Sequence, residues 1–127
     1  MGPDACKLVT PALIKQQLGV DVATSEPKSS TMQGTTCSFK SENKTSVIVI
    51  VQLSANGNMY YQPDSWFKNP IQIGAGDKGI FQGPDSGSTT AELVKNGTLA
   101  YVTIYAKAPA YTADQVKGFM KAIADQL

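Results

Sequence analysis

The strongest pattern in the chain is Val47-Ile48-Val49-Ile50-Val51, inside the run Thr45 to Leu53. It is β-branched throughout and apolar on both faces. Such side chains crowd a helix and fit a pleated strand, so the run predicts a central strand covered on both sides. Upstream, Thr35 to Lys40 alternates, with Cys37 and Phe39 on one side, which predicts a half-buried strand. Glu42-Asn43-Lys44 supplies the turn between the two. Downstream, Thr90 to Lys95 and Thr98 to Ala106 flank Asn96-Gly97, a pair that tolerates the positive φ angles of a type I′ turn. This predicts a hairpin, and Pro109 closes the sheet region. Shorter extended pieces are expected at Val20 to Ala23, Ile71 to Ile73 and Gly79 to Gln82. The polar stretches 24–34, Ser54 to Asn58 and Gly83 to Ser88 predict a loop, a turn and an exposed loop.

Two segments carry helical spacing. Thr10-Pro11 offers an N-cap followed by proline at the first helical position. Leu13, Ile14 and Leu18 share a face and Gly19 ends it, predicting a helix over 11–18. Asp4 to Leu8 forms a helical turn that carries Cys6, and residues 63–68 fit one turn more. Near the C-terminus, Thr112 and Gln115 have capping-box spacing. Val116, Phe119, Met120, Ile123 and Leu127 then form one apolar stripe, while Lys117, Lys121, Asp125 and Gln126 face water. That stripe reads as core packing, not as a cofactor or partner surface.

The order is helix, strands, helix, without βαβ alternation. It predicts an α+β, two-layer fold: an antiparallel sheet of about five strands with N- and C-terminal helices packed on one face. A length of 127 residues suits one domain spanning 1–127. Met1-Gly2-Pro3 reads as a vector-derived or flexible lead, with any targeting or lipid-anchor segment cut away before it.

Composition narrows the chemistry. Hydrophobic content of 42% with 17% charged residues places the chain among globular domains. A net charge of +1 provides no field to steer nucleic acid or an anionic membrane. Histidine is absent, which removes the commonest general base and metal ligand. Arginine is absent too, so bidentate forks for phosphate or carboxylate are lacking. Nucleic-acid recognition is therefore not expected. No run of about eighteen apolar residues exists that would span a membrane.

Cys6 and Cys37 could be a disulfide, two buried thiols or half of a metal site. A zinc site would need carboxylates for its remaining ligands, which is rare, and no Cys-x-x-Cys redox motif is present. The natural reading is a disulfide that ties the leading helical turn to the sheet, formed outside the cytoplasm and stabilising by roughly 3–4 kcal/mol. Asn43-Lys44-Thr45 and Asn96-Gly97-Thr98 match the glycosylation triplet, a pattern that also arises by chance.

Gly74-Ala75-Gly76-Asp77-Lys78-Gly79 spells G-x-G-x-x-G. The dinucleotide fingerprint needs a strand before it and a helix after it. Here only a short extended piece precedes, and Ile80-Phe81-Gln82-Gly83-Pro84 cannot start a helix. The segment is read as a glycine-rich bend. Nucleophilic catalysis has little to draw on, since no histidine is present to activate a serine. A carboxylate pair of Asp77 with Asp85 or Glu92 could support acid–base chemistry, but scattered acids usually mark a solvated surface. No catalytic residue, metal ligand or cofactor is assigned. The best binding candidates are Tyr60, Tyr61, Trp66 and Phe67, whose rings combine apolar area with polar tips in an irregular segment. Alternatively, these rings cover an open edge or end of the sheet.

Several of these features also carry a resemblance. Asp4-Ala5-Cys6-Lys7-Leu8-Val9-Thr10-Pro11 with Leu18-Gly19, then Thr36-Cys37-Ser38-Phe39, then Ile73-Gly74-Ala75-Gly76-Asp77 resembles a family of secreted actinobacterial lipoproteins of unknown function. That family tends to have leucine where Val9 stands, and often tryptophan where Phe39 stands. The resemblance implies a cell-envelope location, a disulfide between Cys6 and Cys37, and a lipidated cysteine upstream. It implies no catalytic residues, and Asp77 carries over as part of a bend.

The expectation is a non-enzymatic extracytoplasmic domain that binds a protein partner or an apolar small molecule at the cell envelope, touching the membrane only through a lipid anchor. Two alternatives belong to other classes. One is a hydrolase or isomerase built on carboxylates and lysines. The other is an inhibitor or interaction module that docks by the loop 83–90.

Overall fold

The structure is a computed structural model that describes residues 4–31, 34–41, 47–61, 67, 69–85, 88–106 and 111–127. The chain forms α1 (Ala5–Leu8), α2 (Pro11–Leu18), β1 (Ala23–Thr31), β2 (Gly34–Lys40), β3 (Ile48–Ser54), α3 (Gly57–Tyr60), β4 (Ile71–Gln72), β5 (Lys78–Asp85), β6 (Ser88–Lys95), β7 (Thr98–Tyr105) and α4 (Ala113–Ala124). The strands make one sheet in the order β1-β2-β3-β7-β6-β5-β4, with antiparallel neighbours throughout. The class is α+β. Six long strands and a two-residue edge strand replace the expected five.

The extra strand is β1, where a polar loop over 24–34 was expected. An edge strand needs backbone pairing on one side only, so it requires no apolar face, and periodicity therefore misses it. β1 pairs with β2 from Ala23↔Lys40 to Thr31↔Gly34, with register shifts between Thr24 and Glu26 and between Glu26 and Ser29. Pro27 lies in the second irregular stretch, and an edge strand is where a residue without an N–H is tolerated. Val20 to Ala23 is not the separate strand expected; β1 begins only at Ala23. The predicted loop over 83–88 is also mostly strand, since β5 continues to Asp85 and β6 begins at Ser88. A register shift between Gln82 and Asp85 accompanies a positive φ of 100° at Gly83, so the turn signal marks an irregular strand end. The turn expected over Ser54 to Asn58 contains the start of α3 instead. The Glu42-Asn43-Lys44 turn, Pro109 and most of the helical turn expected at 63–68 lie outside the described residues.

The remaining elements follow their local signals. Thr10 Oγ1 accepts from the Leu13 N–H at 3.2 Å, and Gly19 closes α2 at φ 74°. At α4 the capping box is complete. Thr112 Oγ1 accepts from the Gln115 N–H at 3.2 Å, and Gln115 Oε1 accepts from the Thr112 N–H at 2.7 Å. Between β4 and β5 the G-x-G-x-x-G segment is a bend, with Gly76 at φ 72°. A Cβ there would lie 2.8 Å from the Val94 carbonyl oxygen, so the bend needs a glycine at that position.

Strand alternation gives the sheet two unlike faces. Cys37, Phe39, Val49, Val51, Leu53, Phe81, Ala91, Leu93, Ala100, Val102 and Ile104 belong to one buried cluster, together with Ala5, Ile14, Leu18, Val116, Phe119, Met120 and Ile123 from α1, α2 and α4. We call this the inner face. Contacts also join α2 to α4 directly, and α1 to β1, β2 and β3. Cys6 and Cys37 form a disulfide with Cα atoms 5.2 Å apart, and the Ala5 N–H donates to Thr35 Oγ1 at 2.7 Å beside it. The disulfide and this hydrogen bond both fix α1 to β2.

Candidate functional site

The outer face is defined by register. Thr36, Gln52, Tyr101, Glu92, Ile80 and Gln72 stand in one row across β2, β3, β7, β6, β5 and β4. The next row toward the β6–β7 turn holds Ser54, Leu99, Val94 and Lys78. Ile80, Val94 and Leu99 are buried, yet none belongs to the inner cluster. Something therefore covers this part of the outer face.

The topology shows what it is. β3 sits mid-sheet and β4 at the far edge, so residues 55–70 must pass β7, β6 and β5. Along this crossover, α3 touches β7 and β6, and the Gly57 N–H donates to the Gly97 carbonyl oxygen at 2.8 Å. Lys78, an outer-face residue of β5, places its Nζ 4.3 Å from the centre of the Tyr61 ring. A cation over an aromatic face at this distance is an attractive contact. Phe67 is buried and, like Ile80, Val94 and Leu99, lies outside the inner cluster. The described part of the crossover, α3 with Tyr61 and Phe67, thus lies on the outer face.

Three of the four expected binding residues can be placed. Tyr60 and Tyr61 are half-buried at the end of α3, and Phe67 is only 7% exposed. Trp66 lies outside the described residues. Phe67 fits the covering role better than a binding role, whereas Tyr60 and Tyr61 keep accessible surface. Met59, beside them, is 74% exposed and is the most open large apolar residue described. A shallow depression of about 200 Å³ lies next to it, lined by Ala55, Asn56, Gly57, Met59 and Gly97.

Glu92 is the unexpected member of the face. Its side chain is wholly buried in mid-sheet, between Ile80 and Tyr101 in register. A buried carboxylate requires hydrogen-bonding or charged company. Its oxygen Oε2 accepts no hydrogen bond from a described residue, although Glu92 does have an interaction partner. The sequence signal was available: Ala91-Glu92-Leu93-Val94 sets one acid in an apolar run, which reads as a strand covered on both faces. Glu92 does not form the pair considered with Asp77. Asp77 is exposed, and its Oδ2 accepts from the Asn96 N–H at 3.3 Å, at the β6–β7 turn and away from the Glu92 row. Its N–H donates to the Val94 carbonyl oxygen at 2.7 Å, so Asp77 serves the bend.

On the inner face, Thr89 Oγ1 and the Tyr111 hydroxyl share a hydrogen bond of 2.9 Å. Desolvation raises the Tyr111 pKa above its ordinary value of 10.0, and the Thr89 hydrogen bond opposes part of that rise. Among the described residues, no cluster of three histidine, cysteine or acidic side chains is placed to hold a metal ion. Nor is any described helix long and apolar enough to cross a membrane. Compared with protein-family models, curated proteins and solved structures, the chain matches none.

Proposed function

We propose that this chain is a non-enzymatic extracytoplasmic domain, lipid-anchored at the cell envelope like the secreted lipoproteins it resembles, and that it binds a protein partner through its outer face. In this reading the N- and C-terminal helices form one layer on the inner face and leave the crossover to make the recognition surface. The observation that carries the proposal is the position of Met59, Tyr60 and Tyr61. They lie over a sheet face outside the inner core and keep apolar and aromatic area open to solvent. Aromatic and methionine side chains are enriched where proteins meet. The disulfide is compatible with an oxidising compartment.

The depression beside Met59 favours a protein over a small apolar ligand. At about 200 Å³ it falls below roughly 300 Å³, the lower end for ligand pockets. The loop-docking alternative loses support, because 83–85 and 88–90 belong to strands β5 and β6. The acid-pair alternative loses support because Asp77 is committed to the bend.

The test is site-directed photocrosslinking. A benzoylphenylalanine replaces Met59, or Lys121 on α4 as a control, and the exported domain is irradiated in the intact envelope of its source cell. Met59 should give a discrete protein adduct that excess unmodified domain suppresses and that Tyr60→Ala/Tyr61→Ala domain does not. Equal labelling from both positions, or no adduct from Met59, would remove the proposal.

A further inference from the structure

The chain contains two Asn-Gly pairs, Asn56-Gly57 and Asn96-Gly97. They meet in space, because the Gly57 N–H donates to the Gly97 carbonyl oxygen at 2.8 Å. We infer that Asn96 is a site of spontaneous deamidation in the folded protein and that Asn56 is protected by the same contact that joins the two pairs.

The reaction is simple in its balance. The backbone nitrogen of the glycine attacks the asparagine side-chain carbon Cγ and loses its proton, and ammonia leaves. The result is a five-membered imide. Water then opens the ring at either carbonyl, giving aspartate or isoaspartate. One ammonia is released and one water consumed, with no oxidant or reductant. The nucleophile is the glycine amide nitrogen, so the chemistry needs that nitrogen to be unengaged and the space around it to be open.

The two glycines differ on both counts. Gly97 is in the hairpin turn at φ 78°, and nothing lies within 4 Å of where its Cβ would be. Among the described residues its N–H donates no hydrogen bond, and Asn96 is exposed. Gly57 is buried. Its N–H is held by Gly97, and a Cβ on it would lie within 3 Å of the Leu99 nitrogen, the Gly97 oxygen and the Thr98 carbonyl carbon. Attack from Gly57 requires α3 to leave the sheet first, whereas attack from Gly97 requires only local motion in a turn.

Asn96 also has structural ties that its conversion would change. Its Nδ2 donates to the Leu127 carbonyl oxygen at 3.0 Å, and its N–H donates to Asp77 Oδ2 at 3.3 Å. Aspartate at this position replaces the donor with an acceptor facing Leu127 and adds a negative charge beside Asp77. Isoaspartate, in addition, lengthens the backbone of a two-residue turn. The modification therefore breaks the tie between the hairpin turn and Leu127, while Lys95 Nζ, which donates to the Ala124 carbonyl oxygen at 2.8 Å, still holds the end of α4.

The test uses the full oxidised chain, incubated in mildly alkaline buffer, with a second sample in urea and reductant. Trypsin cleaves at lysines and so separates Asn56 from Asn96, and peptide mass spectrometry reads the exchange of NH2 for OH at each. In the folded sample Asn96 should convert roughly tenfold or more faster than Asn56, since Gly57 reacts only after local opening. In the unfolded sample the two rates should agree within about twofold, because both pairs then have the same free nucleophile. Three results would overturn the inference. They are equal or reversed rates in the folded protein, an Asn96 that converts only when unfolded, or a preference for Asn96 that persists undiminished in urea.

Discussion

Opening the Cys6–Cys37 bond should cost this domain a large part of its stability. The two cysteines are 31 positions apart, and for a loop of that length the chain-entropy relation gives about 3.7 kcal/mol at 25 °C. Domains of this class are stable by about 5–15 kcal/mol in all, so the bond decides whether the fold is robust or marginal. The effect should appear mainly through the unfolded chain, which expands once the loop is open, so the urea m-value should rise along with the fall in midpoint. Two perturbations separate the cross-link from the packing. Reduction keeps both sulfur atoms in place and removes only the bond. The Cys6→Ala/Cys37→Ala protein also empties the site of the wholly buried Cys37 sulfur, at a further cost of roughly 1 kcal/mol. Urea unfolding followed by circular dichroism should therefore rank the oxidised protein above the reduced one by about 3–4 kcal/mol, with the double variant slightly lower. In thermal melts the reduced protein should lose roughly 10–20 °C. If reduction shifts the folding free energy by less than about 1 kcal/mol, α1 is held by its hydrogen bond and packing alone, and the argument for a covalent staple fails.

Two further outcomes are expected. Gly74 and Gly76 share positive φ angles of 76° and 72°, but only Gly76 has a backbone oxygen 2.8 Å from its would-be Cβ. Gly74→Ala should cost roughly 1–2 kcal/mol from the left-handed conformation alone, and Gly76→Ala roughly 1–3 kcal/mol more; equal losses in urea titration would disprove the close-approach argument. Tyr111, whose pKa is raised in the folded state, holds its proton more tightly there than in the unfolded chain. Its contribution to stability is thus fully present below pH 10.0, the unfolded value, and is lost as pH rises through the higher folded value. Tyr111→Phe should lose roughly 1–2 kcal/mol at neutral pH, because it strands the buried Thr89 hydroxyl, and should flatten the alkaline limb of stability against pH. An unchanged limb would reassign that limb to other groups.

What the sequence revealed and what it hid divide along one physical line. Elements that bury a face were readable, because burial imposes a period. Val49 and Val51 marked β3, Phe119 and Met120 marked α4, and Asn96-Gly97 marked the hairpin. Cap chemistry was readable for the same local reason, at Thr10, Gly19 and Thr112. β1 was not readable, because Ala23–Thr31 is held by main-chain bonds to β2 and needs no apolar period. The ends of β5 and β6 were hidden by Gly83 and Ser88, residues that read as loop but can also sit in irregular strand. At the candidate site, Tyr60, Tyr61 and Phe67 were visible as ring types, but their placement over the outer face was not. It depends on β3 lying beside β7, a pairing between distant segments that no local window contains.

That pairing also accounts for the character of the outer face. A meander in which each strand lay beside the next would leave this face open to water, and its residues would be free to be polar. Because the chain must instead cross from β3 to the far edge, Ile80, Val94 and Leu99 have an apolar cover to meet, and Glu92 is carried into the same buried layer. The described residues of the crossover therefore combine a buried ring, Phe67, with accessible aromatic and thioether surface at Met59, Tyr60 and Tyr61. A segment under both demands is constrained on its sheet side and free on its solvent side. Phe67 meets the first demand by being buried, and Met59 remains available for the second. Substitutions at Met59 should thus change recognition without changing stability, whereas substitutions at Phe67 should do the reverse, and it is this division that makes the outer face separable by experiment from the fold that carries it.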